Sequence, residues 1–346
     1  MKQLFALAFL LIASAAIADA IVTNEGPVYG PQLEGYDYPF PVQHFRFQSQ
    51  GVAMDMAYMD VKPAQPGASA RAGATNKEVH TIVTLHGKNF CAATWGATIK
   101  VLTGAGYRVI APDQVGFCKS TKPAHYQYSF EQLAANTHAL LDSLGVSKAI
   151  IMGHSMGGML ATRYALTYPG STEQLVSVNP LGLEDSRAKG VPPTGVDQLY
   201  QGALKTTADS IRDYERTVYY AGTWKPEYEP WVQMQAGMYR GAGREAMAWN
   251  SALTSEMIYT QPVIHELERL TIPVLLLIGD KDTTGKSNAV PPQIRATLGN
   301  FPVMAKEAAA RIAHARLVEF PDLGHSPQIQ DPAAFHKALL EGLIKP

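Results

Sequence analysis

The chain of 346 residues carries 29 Lys and Arg residues against 30 Asp and Glu residues, and 46% of its residues are hydrophobic. This apolar share excludes a wholly disordered chain and suits one large or two ordinary domains. The net charge of -1 gives no basic surface for nucleic acid and no polybasic patch for a membrane. Two cysteines are too few for a disulfide scaffold and lack the spacing of a zinc site.

The first twenty residues are typical of a secretory signal peptide. A lysine at position 2 precedes an apolar run (4–17), and two Ala-x-Ala sequences follow. The run is shorter than the ~20 residues that a membrane-spanning helix needs. We predict cleavage after Ala20, with Ala18 as the alternative, and therefore an exported protein, periplasmic or secreted, without stable membrane insertion.

The next segments indicate a hairpin between irregular stretches. Residues 21–41 are rich in Gly, Pro and Tyr and predict an irregular lead-in. Residues 52–61 alternate in strand fashion, and 45–48 predict the pairing strand. Residues 63–75 predict a surface loop.

Six short apolar runs then alternate with helix-length segments. Runs without a polar face suit strands that are buried on both sides, and the alternation with helices predicts an α/β fold with a mostly parallel sheet. The runs are Thr81–Leu85, Arg108–Ala111, Ala149–Met152, Leu175–Val178, Val274–Ile278 and Leu317–Phe320.

Residues 181–270 interrupt this alternation and predict a helical cap over a core domain made of residues 21–180 and 271–346. Candidate helices cover 209–218, 229–239 and 242–253. The segment holds three of the four tryptophans and several tyrosines. Most of these side chains would pack the cap on the core, and the remainder would form a largely apolar roof over a pocket.

A nucleophile is predicted at Ser155. The sequence Gly153-His154-Ser155-Met156-Gly157 follows an apolar strand and precedes helix-forming residues. A serine on a sharp strand-to-helix turn needs tiny neighbours, and the following helix points its positive end at the serine. We assign His154 to shaping the turn and not to proton transfer.

With this motif in its setting, residues 81–343 resemble the cap-bearing branch of the α/β-hydrolase family. The resemblance implies an oxyanion hole made by two backbone N–H groups, those of Met156 and Lys88, with Asn89 as the less favoured alternative to Lys88. We name residues 86–90, which include His86 and Phe90, the His-Gly loop. His86, Asn89 and Phe90 are candidate substrate contacts. The Lys88 side chain is expected to be a solvated surface group, and contact with an acidic substrate is the less favoured alternative.

The resemblance also assigns a structural role to Asp113, in a loop after the next strand. Cys118 of that loop stands where the family usually has glycine, and Cys91 follows the His-Gly loop. An exported protein could join these two cysteines in a disulfide, and two free thiols are the equal alternative.

The remaining members of a catalytic triad are predicted at the ends of later strands. The family's Gly-x-x-Asp sequence corresponds to Asp282, with Asp280 as the competitor, and His325 alone has the late position that the order nucleophile, acid, histidine requires. No phosphate loop, metal-ligand cluster or dinucleotide fingerprint appears, so we predict no cofactor.

These residues predict a hydrolase that cleaves esters of hydrophobic or aromatic acids through an acyl-enzyme intermediate. The partner would be a small ester-like molecule and not nucleic acid, and the sequence gives no oligomeric state. A serine nucleophile excludes dehalogenases and epoxide hydrolases that use aspartate. The alternatives are an aminopeptidase, a lactonase, a C–C bond hydrolase, or a ligand-binding protein without activity.

Overall fold

The computed structural model describes residues 25–63, 79–286 and 290–345. The predicted signal peptide and residues 64–75 of the predicted surface loop lie outside these ranges. Within them, residues 25–41 form no helix or strand, as predicted. None of the helices in the described ranges has both the length and the apolar character needed to cross a membrane.

Eight strands form a single sheet. In chain order they are β1 (Val42–Ser49), β2 (Val52–Val61), β3 (Thr81–Leu85), β4 (Arg108–Pro112), β5 (Ala149–His154), β6 (Thr172–Val178), β7 (Val274–Gly279) and β8 (Ala315–Phe320). Their order across the sheet is β1-β2-β4-β3-β5-β6-β7-β8. Strands β3 to β8 run parallel, while β1 and β2 form the predicted antiparallel hairpin at one edge. The predicted α/β fold with a mostly parallel sheet is confirmed.

Alternate residues of the central strands pack into two hydrophobic clusters, one on each face of the sheet. In β5, Ile151 belongs to one cluster, whereas Ile150 and Met152 belong to the other. All residues of β3, β5 and β7 are buried. Because these strands are covered on both faces, their sequences are mostly apolar and lack an alternating polar face. Their carboxyl ends meet at one edge of the sheet, and the predicted site residues follow the strands there.

Helices cover both faces of the sheet and begin at recognisable capping residues. The Ser129 side chain accepts a hydrogen bond from the Gln132 N–H, and Asp331 accepts one from Ala334. The α-helices are α1 (Gly96–Gly104), α2 (Phe130–Ser143), α3 (Met156–Thr167), α4 (Val196–Ala203), α5 (Ala208–Tyr214), α6 (Glu229–Arg240), α7 (Arg244–Thr260), α8 (Pro292–Arg295), α9 (Phe301–Arg311), α10 (Pro327–Gln330) and α11 (Pro332–Gly342).

Residues 181–270, which we call the helical insertion, contain α4 to α7 and no strand, and the structure describes all of them. The three predicted helices correspond to α5 with a following π-helical turn (Glu215–Tyr219), to α6 and to α7. Helix α7 ends seven residues later than predicted, and α4 was not predicted. Met234, Met238 and Met257 join the same hydrophobic cluster as the sheet, so the insertion packs directly on the sheet's helices and strands.

Candidate active site

Ser155 lies on a sharp turn between β5 and α3. Its φ and ψ angles are 58° and -121°, a region that costs a non-glycine residue energy and recurs at functional sites. Flanking glycines make the turn possible, because a Cβ atom at Gly153 would lie 1.9 Å from the Gly157 carbonyl oxygen. A Cβ atom at Gly157 would lie 2.2 Å from the Leu85 carbonyl oxygen. The local backbone is therefore that of the sharp strand-to-helix turn that presents a nucleophilic serine.

His325 and Asp282 form a buried hydrogen-bonded pair at the same sheet edge. The distance from His325 Nδ1 to Asp282 Oδ2 is 2.6 Å, and neither side chain is exposed to solvent. Because a carboxylate oxygen accepts, Nδ1 carries the proton and Nε2 is the ring nitrogen left for chemistry. His325 Nε2 is buried and has no hydrogen-bond partner.

Two further groups hold the Asp282 carboxylate. Asn179 Nδ2 donates to Asp282 Oδ2 at 2.9 Å, and the Thr284 N–H donates to Oδ1 at 2.7 Å. Asp280 instead lies beside Glu319, where burial raises the pKa of its carboxyl group and Glu319 adds to the rise. Of the two predicted acids, Asp282 is thus the one that contacts His325.

The nucleophile turn and the histidine loop touch through His154. His154 Nε2 lies 2.8 Å from the His325 carbonyl oxygen, and the two ring centroids are 4.8 Å apart. No hydrogen bond joins Ser155 to His325 in the described part of the chain, a link that often tightens only when substrate binds. Burial and the neighbouring His325 push the pKa of His154 well below its ordinary value, so His154 is a neutral donor that orients the loop.

The His-Gly loop lies against the nucleophile turn. A Cβ atom at Gly87 would lie 3.2 Å from Ser155 Cβ. Within the described ranges, the backbone N–H groups of Lys88 and Met156 have no hydrogen-bond partner in the protein, which suits donors that await a developing oxyanion.

The side chains of the His-Gly loop have partners that the sequence did not reveal. His86 accepts a hydrogen bond from the Gln114 N–H and contacts the Gly87 carbonyl, so neither ring nitrogen is free for substrate. Asn89 Nδ2 donates to the Tyr219 hydroxyl at 2.8 Å, and Phe90 packs on the Tyr219 ring.

The expectation that Lys88 is a solvated surface lysine was wrong. Lys88 Nζ donates to Ser251 Oγ of α7 at 2.7 Å. Burial lowers the pKa of this lysine to about 8. The error arose because the helical insertion covers the loop, a long-range contact that local sequence does not contain.

Asp113 and the two cysteines stabilise the chain next to the His-Gly loop. Asp113 accepts hydrogen bonds from the Ala92 N–H, the Lys119 N–H and the Tyr38 hydroxyl, which agrees with its predicted structural role. Cys91 and Cys118 form a disulfide. Of the two alternatives, the structure contains the bridge, and its sulfurs are therefore not available as thiolate ligands for a metal.

Asn179 and Tyr219 are site residues that the sequence analysis missed. Asn179 follows β6 at the edge where the triad residues lie, and that position was the available signal. Tyr219 ends the π-helical turn, and its ring centroid lies 4.8 Å from that of His325. The sequence carried no signal for this contact.

A cavity of about 250 Å³ lies beside the nucleophile turn. Leu181 lines the cavity, and its N–H donates to the Ser155 carbonyl oxygen. Phe301, also in the wall, lies 6.3 Å from His325 between ring centroids. The remaining lining is mostly apolar, with Glu184 as its acidic residue.

A protein-family model described as the alpha/beta hydrolase fold matches residues 80–332. This chain is an α/β hydrolase. A crystal structure of a probable hydrolytic enzyme from Pseudomonas aeruginosa PAO1 is 61% identical to this hydrolase, with a TM-score of 0.87, and the match covers 92% of this chain and 99% of the other.

Two curated relatives of this α/β hydrolase have more specific names. Lipase 3 of Moraxella sp. (strain TA144) is 27% identical over 258 residues, which cover 69% of this chain and 71% of the lipase. A 2-hydroxy-6-oxononadienedioate/2-hydroxy-6-oxononatrienedioate hydrolase of Comamonas testosteroni is 32% identical over 138 residues, 39% of this chain and 48% of that protein. The family relationship makes this chain a hydrolase.

Proposed function

We propose that this hydrolase cleaves carboxylic esters with Ser155 as nucleophile, His325 as base and Asp282 as the acid that orients it. The observation that carries the proposal is the buried Asp282–His325 pair, whose histidine has an unpartnered Nε2 and a ring centroid 4.8 Å from that of His154 in the strained nucleophile turn. His325 would take the proton from the Ser155 hydroxyl as the serine oxygen attacks the ester carbonyl. His325 would then give this proton to the leaving alcohol. Water would then release the acid from the acyl-enzyme.

The backbone N–H groups of Lys88 and Met156 would stabilise the tetrahedral oxyanion. Removing one such donor typically costs about 3 kcal/mol of transition-state stabilisation. The apolar cavity of about 250 Å³ would receive an apolar part of the ester. It lies below the ~300 Å³ at which typical ligand pockets begin, which favours short over long apolar groups.

We also propose that the protein acts outside the cytoplasm, after removal of residues 1–20. The Cys91–Cys118 disulfide supports this proposal, because such bridges persist in oxidising compartments. Localisation of the full-length protein in cell fractions, with N-terminal sequencing of the mature chain, tests it.

Covalent labelling tests the nucleophile. A fluorophosphonate should label the folded protein, and labelling should disappear in Ser155→Ala and after denaturation. A folded protein that is never labelled would instead be a ligand-binding member of the family. Hydrolysis of 4-nitrophenyl esters of graded chain length, beside aminoacyl amides, lactones and 2-hydroxy-6-oxo acids, then separates the esterase from a peptidase, a lactonase or a C–C bond hydrolase.

A further inference from the structure

Lys88 is a cation held between the His-Gly loop and the helical insertion without a counter-ion. Its Nζ donates to Ser251 Oγ. Within residues 25–63, 79–286 and 290–345, no carboxylate lies within 4.0 Å of Nζ, and burial alone accounts for the lowered pKa. Lys88 is partly withdrawn from water. Withdrawing an ammonium group without supplying an opposite charge is costly, so this arrangement calls for an explanation.

Two other lysines with lowered pKa values differ from Lys88 because acidic residues act on them. The charges of Asp113 and Glu34 act on both Lys119 and Lys122 and oppose the effect of burial. Both lysines also donate to backbone carbonyl oxygens. Lys88 has one neutral hydroxyl as partner, and an ammonium group has three hydrogens to donate.

A small cavity lies where an anion could reach Lys88. Its volume is about 30 Å³, which is room for about two water-sized groups. The disulfide and Phe117 close one side, and α6 and α7 close the other. Ser251 and Tyr239 line it and interact with each other. The cavity therefore combines a cation with two hydroxyl groups and has no acidic residue in its lining.

We propose that this cavity is an anion subsite in which Lys88 binds a carboxylate of the substrate. The inference rests on the proposed ester hydrolysis and specifies its substrate class. The backbone N–H of the same residue is a proposed oxyanion donor. The carboxylate must therefore lie no farther from the scissile carbonyl than the Lys88 side chain extends from its own backbone. The substrate is thus a half-ester or a related short acid, whose two-oxygen group suits the small cavity and supplies the missing negative charge.

A pair of esters built on the same diacid chain tests the subsite. The anionic member is mono-4-nitrophenyl glutarate, and the neutral member is its methyl ester. In Lys88→Met, the ratio of kcat/KM for the anionic to the neutral ester should fall at least about tenfold, the size expected for a lost hydrogen bond to a charged group. Lys122→Met is the matched control, because it removes a buried positive charge that does not line the cavity, and its ratio should stay at the wild-type value.

A lysine that merely fastens the insertion to the loop would give a different result. Lys88→Met would then lower hydrolysis of both esters by the same factor, and the subsite would be refuted. The pH profile adds a second test. In the wild type the ratio should fall as pH rises through about 8, and in Lys88→Met it should be flat. Tyr239, the other titratable side chain of the lining, has a raised pKa and keeps its proton in this range.

Failure of the ester chemistry itself is recognised separately. If the wild type hydrolyses neither ester and resists fluorophosphonate, the proposed function fails, and binding alone tests the subsite. Calorimetry should then show that Ser155→Ala binds monomethyl glutarate with a Kd at least about tenfold lower than that for dimethyl glutarate. The preference should vanish in Ser155→Ala/Lys88→Met, and equal binding of both compounds to Ser155→Ala would overturn the inference.

Discussion

Removal of the disulfide should lower stability by an amount set by the loop that it closes. Cys91 and Cys118 are separated by 27 positions. For a loop of this length the chain-entropy relation gives about 3–4 kcal/mol of stabilisation, because the cross-link restricts the unfolded chain. Unfolding entropy of about 2 cal/mol/K per residue over a chain of this size converts this loss into a Tm lower by about 5 °C.

Cys91→Ser/Cys118→Ser is the variant to measure, by thermal unfolding followed with circular dichroism. Serine keeps a side chain at position 118, where φ is 45°, so the backbone requirement is the same in both proteins. The wild type should lose the same 5 °C or so when dithiothreitol is added, whereas the variant should not respond to it.

The control is a thiol count under denaturing, non-reducing conditions, which should find no free thiol in the wild type and two after reduction. A double variant that melts within about 1 °C of the oxidised wild type would show that the bridge does not restrict the unfolded chain as the relation assumes.

Three other predictions concern the triad and its surroundings. Asp282→Asn should lower kcat for a 4-nitrophenyl ester about 10⁴-fold, since the imidazole loses its orienting carboxylate, whereas Asp280→Asn should change kcat only a few-fold; equal losses would refute the assignment of the acid. Burial raises the pKa of Glu215 from 4.5 to about 8, near Tyr220 and Glu229, so the folded state holds the proton more tightly and wild-type stability should fall as pH rises through this interval. Glu215→Gln should lack that fall in urea midpoints measured from pH 5 to pH 8, and a parallel fall would contradict the cause given. Asn179→Ala removes hydrogen bonds to Asp282 and to the Gly279 N–H and should lower the unfolding free energy by about 1–3 kcal/mol; an unchanged urea midpoint would count against it.

Local sequence was sufficient to predict the sheet and the nucleophile turn. A strand buried on both faces is mostly apolar along its length, and a serine between close-packed glycines leaves few other interpretations. The order of the chain also placed Asp282 and His325 after the last two strands. These features depend on contacts within a few residues or on the rule that parallel strands end at one edge.

The features that sequence reasoning missed depend on contacts between distant segments. Helix α4 carries an apolar stripe, but it has only eight residues and none of them is fully buried. Its Tyr200 ring packs on Trp249 of α7, a contact between distant segments. The π-helical turn that ends at Tyr219 brings the Tyr219 ring against the distant His325, and no local pattern indicates that contact. The hydrogen-bond partner of the partly buried Lys88 is Ser251, which is 163 positions away.

The His-Gly loop is held by three elements of the helical insertion at once. Lys88 bonds to α7, Asn89 bonds to the π-helical turn, and the Asn89 carbonyl accepts from Gln235 of α6. Raising the insertion to admit a substrate would release the segment that carries a proposed oxyanion donor. The open enzyme would then be a poor catalyst, and the full rate would return only after the insertion had closed over the bound substrate. Closure would thus select substrates by size. A molecule too large for the insertion to close over would be bound but not cleaved.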